Sequence, residues 1–211
     1  MPAPSANPPE PQAVAPQSVG DAAAPQNNPV PLLGGGKAVR EALLKGGYII
    51  FFRHGRTDLD QISRESGNRA EGKIDLARCV TQRNLSDEGR AELKQAGEQF
   101  RKVAIPLDKS FTSPYCRTKE TAAYFTPRAQ PLPVLASFSQ VPAKEGELAR
   151  LFSQRPAAGK NTLIVAHGLT LHGLTGFAIG EGHAVVLEPG NFKTIVARIA
   201  PLEWAGVASA R

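Results

Sequence analysis

Tyr48-Ile49-Ile50-Phe51-Phe52-Arg53-His54-Gly55-Arg56-Thr57 is the stretch that decides the fold. Five apolar residues run without a polar interruption from Tyr48 to Phe52. Such a run suits a strand buried on both faces, as parallel sheets require. It breaks abruptly into two cations, a histidine and a glycine. A second run, Asn161-Thr162-Leu163-Ile164-Val165-Ala166, ends the same way, in His167-Gly168. In open α/β sheets ligands bind beyond the carboxyl ends of the strands, so both histidines stand where a site belongs. Each following glycine lets the backbone turn sharply and approach a ligand.

Working outward, strands alternate with amphipathic stretches. Residues 37–45 suit a short helix closed by Gly46-Gly47. Residues 58–84 are polar and irregular and read as a long loop. Ser86 is an N-cap with Asp87 and Glu88 in the first turn, and Leu93, Ala96, Phe100 and Val103 form one stripe of a helix to about Val103. A strand near 109–112, a helix over 115–125, a strand near 132–135 and a helix over 144–154 follow. After the second apolar run come a helix over 169–177 and a hairpin of 184–187 with 192–199. This alternation predicts an α/β fold, a three-layer α/β/α sandwich on a mostly parallel central sheet.

Charge divides the chain. Residues 1–36 contain Glu10 and Asp21 and no Lys or Arg, so residues 37–211 hold all 25 basic residues and 17 of the 19 acidic ones, a net of +8. Nine of the 18 prolines lie in the first 31 positions. Residues 1–36 therefore read as a disordered Pro/Ala-rich leader with a Gly34–Gly36 joint, and 37–211 as one domain able to bury its own core. No apolar run approaches the roughly 18–20 residues a membrane helix needs. The leader has no basic start or apolar core of its own, yet it suits the mature start of an exported protein. The expected location is periplasmic or secreted, with the cytoplasm as the alternative.

A third strand end supplies Ser113-Pro114-Tyr115-Cys116-Arg117-Thr118 and sets Arg117 at a helix start, where anions are favoured. Bringing the three ends together gathers Arg53, Arg56, Arg117, His54 and His167 around one point. Burying that much positive charge is costly unless an anion answers it. A phosphoryl group fits best, because guanidinium forks pair with its oxygens.

These three elements, in this order, resemble the histidine phosphatase superfamily, the phosphoglycerate mutase-like fold, over about residues 46–200. Gln82-Arg83-Asn84-Leu85-Ser86 with Glu88-Gly89 is similar to bacterial members, and the leader with the two cysteines suits their exported-type branch. The resemblance implies a metal-independent phosphomonoesterase without a cofactor. His54 would be the nucleophile that forms a phosphohistidine. Arg53 and Arg117 would hold phosphoryl oxygens, and His167 would complete the pocket as an imidazolium. Arg56 and Thr57 would bind substrate. The carboxylate donor that many members carry has no clear counterpart. Glu145 is the candidate, though a place in the first turn of a helix explains it as well. The implied ligand is a small phosphorylated substrate or inorganic phosphate.

Other residues have plainer readings. His172 and His183 read as structural, and Arg83, Arg90 and Arg101 as solvated surface. Cys79 and Cys116 flank the expected pocket. They form either a disulfide between the 58–84 loop and the Arg117 segment or two buried reduced thiols. Neither cysteine has Arg six residues on, which excludes a cysteine phosphatase, and no ligand cluster suggests zinc. Two alternatives to hydrolysis stay open: a phosphomutase or phosphoryl carrier with the same nucleophile, and a non-catalytic polyanion-binding protein. Few aromatics and no stacking-rich basic strand argue against nucleic acid as partner. The oligomeric state is open.

Overall fold

The structure, a computed structural model, describes residues 31–136 and 145–211. Six strands form one sheet in the order β3-β2-β4-β1-β5-β6. They are β1 (Ile49–Arg53), β2 (Leu107–Thr112), β3 (Gln130–Pro131), β4 (Asn161–Ala166), β5 (Ala184–Leu187) and β6 (Ala197–Ile199). The pairs β1–β4, β4–β2 and β2–β3 are parallel; β5 is antiparallel to both β1 and β6. The central strands β1 and β4 are buried on both faces almost throughout, which is why they read as unbroken apolar runs.

Alternate residues of the same strands enter two separate cores. Ile50, Phe52, Leu163, Val165 and Val186 face one side. There they meet α1 (Gly36–Lys45), α3 (Asp87–Val103), α4 (Cys116–Phe125) and α7 (Trp204–Ser209). Phe52 stacks between Phe125, at 4.1 Å, and Trp204, at 5.8 Å between ring centroids. Ile49, Phe51, Ile164, Ala166 and Val185 face the other side, against α5 (Glu145–Ser153) and α6 (Gly168–Thr175). The result is the three-layer sandwich. Among the described residues no helix is long and apolar enough to cross a membrane.

Four elements differ from the sequence expectations. The 58–84 segment contains a helix, α2 (Ile62–Ala70), between single turns at Leu59–Gln61 and Cys79–Thr81. Residues 133–135 form a turn of 3-10 helix, and the strand there is the two-residue β3. The final hairpin pairs only Ala184–Val186 with Ala197–Ile199; the expected turn forms at Glu188–Asn191, where the Asn191 amide donates to the Glu188 carbonyl at 3.1 Å, but residues 192–196 do not extend the strand. The chain then closes with α7, whose Trp204 is wholly buried. Ahead of α1, the amides of Leu32 and Leu33 donate to the carbonyls of Ile195 and Val196, and Leu33 packs on the core.

One close approach sets the entrance to the site. The Ser86 hydroxyl accepts from the Gly89 amide and caps α3. The Ser86 amide donates to the Arg56 carbonyl. A Cβ on Gly89 would lie 2.2 Å from that same carbonyl oxygen, so only glycine lets α3 start this close to the segment after β1.

Candidate active site

The site grows from the carboxyl ends of three neighbouring strands. The ladder continues one residue past them: the His54 amide donates to the Ala166 carbonyl and the Ser113 amide to the Val165 carbonyl. His54, His167 and Ser113 are thereby held in one row, and all are buried. The imidazole centroids of His54 and His167 lie 5.4 Å apart. They line a cavity of about 540 Å³ together with Arg53 and Arg117, and with Glu65, Ser66 and Arg69 of α2.

Hydrogen bonds assign the protons. His54 Nδ1 lies 2.9 Å from the Gly55 carbonyl. A carbonyl can only accept, so Nδ1 carries the proton and the lone pair resides on Nε2. His167 Nε2 meets the Ser113 hydroxyl at 2.9 Å. Burial and then the Arg117 guanidinium hold the His54 pKa well below the usual histidine value. Burial, Arg117 and His54 itself do the same to His167. Both rings are therefore neutral at pH 7 in the free protein. The imidazolium expected of His167 requires an anion beside it to offset Arg117.

Two carboxylates hold the arginines. Glu181, in the connection before β5, accepts from Arg53 Nη2 at 3.1 Å and from the Thr57 amide at 3.0 Å. Glu65 accepts from Arg117 Nη1 at 3.1 Å, from Arg69 Nη2 at 2.6 Å and from the Arg83 amide at 2.5 Å. Arg117 is buried, with its guanidinium 4.5 Å over the Tyr115 ring. The Nε atoms of Arg53 and Arg117 are buried donors without a hydrogen-bond partner among the described residues. Among the described residues four guanidiniums line the cavity, Arg53, Arg69, Arg83 and Arg117. With Glu65 and Glu181 paired to them, the local balance is +2, the charge that a phosphoryl dianion neutralises.

Of the residues expected in the site, His54, His167, Arg53 and Arg117 converge on this cavity. Arg56 and Thr57, expected to bind substrate, do not line it. The Arg56 side chain points out to solvent and pairs with Glu92 at 3.2 Å. Thr57 is buried, with its hydroxyl donating to Glu181. The candidate donor Glu145 begins α5, and its side chain lies outside the described residues. Cys79 and Cys116 are joined by a disulfide. Arg83 and His172 line the cavity, where the sequence suggested plain surface and structural roles. His183 is placed at the sheet, with its Nδ1 3.1 Å from the Glu181 carbonyl. Glu65 and Glu181 were not foreseen. No local pattern marks either, since each acts on an arginine distant in sequence. Among the described residues no group of three or more His, Cys, Asp or Glu side chains could hold a metal ion.

The sequence profile of the histidine phosphatase superfamily (branch 1) matches residues 49–138. A search of curated proteins returned no match. Among solved structures, the protein histidine phosphatase SixA complexed with tungstate is similar at 17% identity, with a TM-score of 0.53, over 74% of this chain and 98% of that one. A SixA protein from Agrobacterium tumefaciens is similar at 14% identity, with a TM-score of 0.50, over 74% and 98% of the two chains. Residues 49–138 of this chain thus carry the pattern of the histidine phosphatase superfamily, set in a phosphoglycerate mutase-like fold.

Proposed function

We propose that the protein is a phosphatase that hydrolyses phosphomonoesters through a phosphohistidine on His54. The observation that carries this reading is the pairing of a neutral His54, with Nε2 left as the nucleophilic nitrogen, with the buried Nε donors of Arg53 and Arg117, which have no partner among the described residues. The Nε2 lone pair attacks phosphorus and the ester P–O bond breaks. The Nδ1 proton stays on the ring, bonded to Gly55, so the phosphorylated imidazole carries a positive charge. Water then attacks the same phosphorus, the P–N bond breaks, and His54 returns to its neutral form. Arg53 and Arg117 hold the equatorial oxygens through both steps. This chemistry draws its positive charge from side chains and calls for no metal.

The leaving oxygen sets the substrate preference. Glu65, the cavity carboxylate among the described residues, has both oxygens engaged as acceptors by Arg69, Arg117 and the Arg83 amide. It is poorly arranged to donate a proton. Good leaving groups are therefore favoured, such as aryl oxides. An imidazole phosphorylated on nitrogen is a second suitable substrate, since it can leave without a carboxylic acid. The likeness in fold to SixA, a protein histidine phosphatase, favours this reading. The disulfide supports a periplasmic or secreted location, where such bonds persist.

The test is release of phosphate from an aryl phosphate by the purified protein and its His54→Ala variant, with acid-quench trapping of labelled phosphate on the chain. Full activity in His54→Ala would refute the assignment.

A further inference from the structure

The 58–84 segment buries almost nothing apolar. Leu59, Ile62 and Val80 are exposed. Among its described side chains only Glu65 and Gln82 are buried, and both are polar. Both are directed at the start of α4. Glu65 accepts from Arg117 Nη1. Gln82 accepts from the Cys116 amide at 2.9 Å through Oε1 and donates back to the Asp75 carbonyl through Nε2. The Arg83 carbonyl accepts a further bond from Arg117 Nη1. The same two stretches are joined covalently by Cys79–Cys116. Cys116 precedes Arg117 directly.

We infer that this disulfide is a positioning device for Arg117, and that its reduction weakens phosphate binding without unfolding the domain. The inference rests on the phosphatase reading for its catalytic consequence and on geometry alone for its effect on anion binding. A segment held by two buried polar side chains has little hydrophobic anchoring to keep it in place. Without the crosslink, only these hydrogen bonds tie Glu65 and the Arg83 carbonyl to α4, and the groups that orient the Arg117 fork are held less firmly. The rest of the sandwich, with its two apolar cores, does not depend on this segment.

The bond is also reachable. Cys79 is exposed and Cys116 buried, and both line a groove of about 710 Å³ outside the catalytic cavity. A dithiol reductant attacks Cys79 Sγ, the S–S bond breaks, and Cys116 leaves as the thiolate and takes up a proton. As first residue of α4 it leaves from a helix N-terminus, which favours the thiolate. The second thiol of the reductant then displaces Cys79 from the mixed disulfide. Both cysteines end as thiols and the reductant ends as a disulfide.

The test uses the full chain, oxidised and after dithiothreitol, with free thiols counted by mass. Aryl phosphate kcat and KM are measured beside the Kd for inorganic phosphate. Fluorescence of the single tryptophan, Trp204, reports the global fold from the core. Reduction is expected to raise KM and the phosphate Kd about tenfold or more, with Trp204 unchanged and reversal on reoxidation. Cys79→Ser/Cys116→Ser should match the reduced protein and ignore dithiothreitol. Glu65→Gln should weaken phosphate binding in the oxidised form and make reduction matter less. Unchanged phosphate Kd with both thiols free would overturn the inference, as would global unfolding on reduction, which would make the bond a general staple. If the oxidised protein releases no phosphate from any ester, the phosphatase reading fails, while the phosphate Kd still decides the role of the disulfide.

Discussion

The Ser113 hydroxyl and His167 Nε2 stand 2.9 Å apart at the ends of adjacent strands. This contact fixes the orientation of the second imidazole, and it gives a proton a place to be held once an anion is bound. Ser113→Ala leaves Nε2 without that partner. Loss of one such bond is worth about 1 kcal/mol. The expected result is a kcat/KM reduced roughly five- to tenfold, with the tryptophan signal unchanged, measured by steady-state hydrolysis of an aryl phosphate.

Arg117→Lys keeps the charge and loses the fork. A lysine ammonium can pair with Glu65 or with a phosphoryl oxygen, and it cannot span both as the planar guanidinium does. We expect a loss of about 100-fold in kcat/KM, on the order of 3 kcal/mol. Activity within threefold of the parent would show that Arg117 acts through charge alone.

Arg56 provides the contrast. Its exposed pair with Glu92 lies outside the cavity, and exposed pairs contribute little. Arg56→Ala should leave kcat/KM within about twofold and stability within about 0.5 kcal/mol. A tenfold fall in activity would return Arg56 to the substrate.

Gly89→Ala places a methyl group 2.2 Å from the Arg56 carbonyl oxygen. Backbone stands on both sides of the clash, so α3 must shift from the segment that follows His54. Overpacking of this kind costs about 1–3 kcal/mol. Denaturant unfolding should show that loss, and activity should fall with it because the displaced segment directly follows His54.

Stability should also depend on pH in a defined direction. The folded pKa values of His54 and His167 lie well below their unfolded value of about 6.5. Between the folded and unfolded values the unfolded chain binds more protons, so stability rises with pH there. The contribution is complete above about pH 6.5 and is lost as pH falls below it, by up to about 1.4 kcal/mol per pH unit for each histidine. Unfolding midpoints measured from pH 8 to 5 should show this, and saturating inorganic phosphate should flatten the slope. A midpoint independent of pH over that range would contradict the neutral assignment.

How much of this could be read from the chain differs by element. The strands β1 and β4 were legible because burial on both faces leaves an unbroken apolar run, and the residues directly after such runs stand at the sheet's edge. That placed His54 and His167 before any geometry was known. Helix α2 was hidden because Glu65 is its one buried residue among those described, so no apolar period betrays it. Glu181 was hidden for a different reason: it reaches Arg53 and Thr57 across more than a hundred residues of sequence. Arg83 looked like surface because its neighbours Gln82 and Asn84 are polar, and its role follows from the fold of the whole segment. Arg56 lies outside the cavity despite its nearness to His54. Directly after a strand, alternate residues diverge, and Arg56 follows the backbone outward to α3.

The +2 balance of the cavity has a consequence for what the protein leaves alone. A phosphate diester carries one negative charge and one fewer free oxygen than a monoester. Inside this cavity it would leave a buried cation unanswered, at a cost a monoester dianion does not incur. Phospholipids and the backbones of nucleic acids are both diesters. On the proposed reading, the arginines and glutamates that hold a terminal phosphate thereby also act as a filter against diesters.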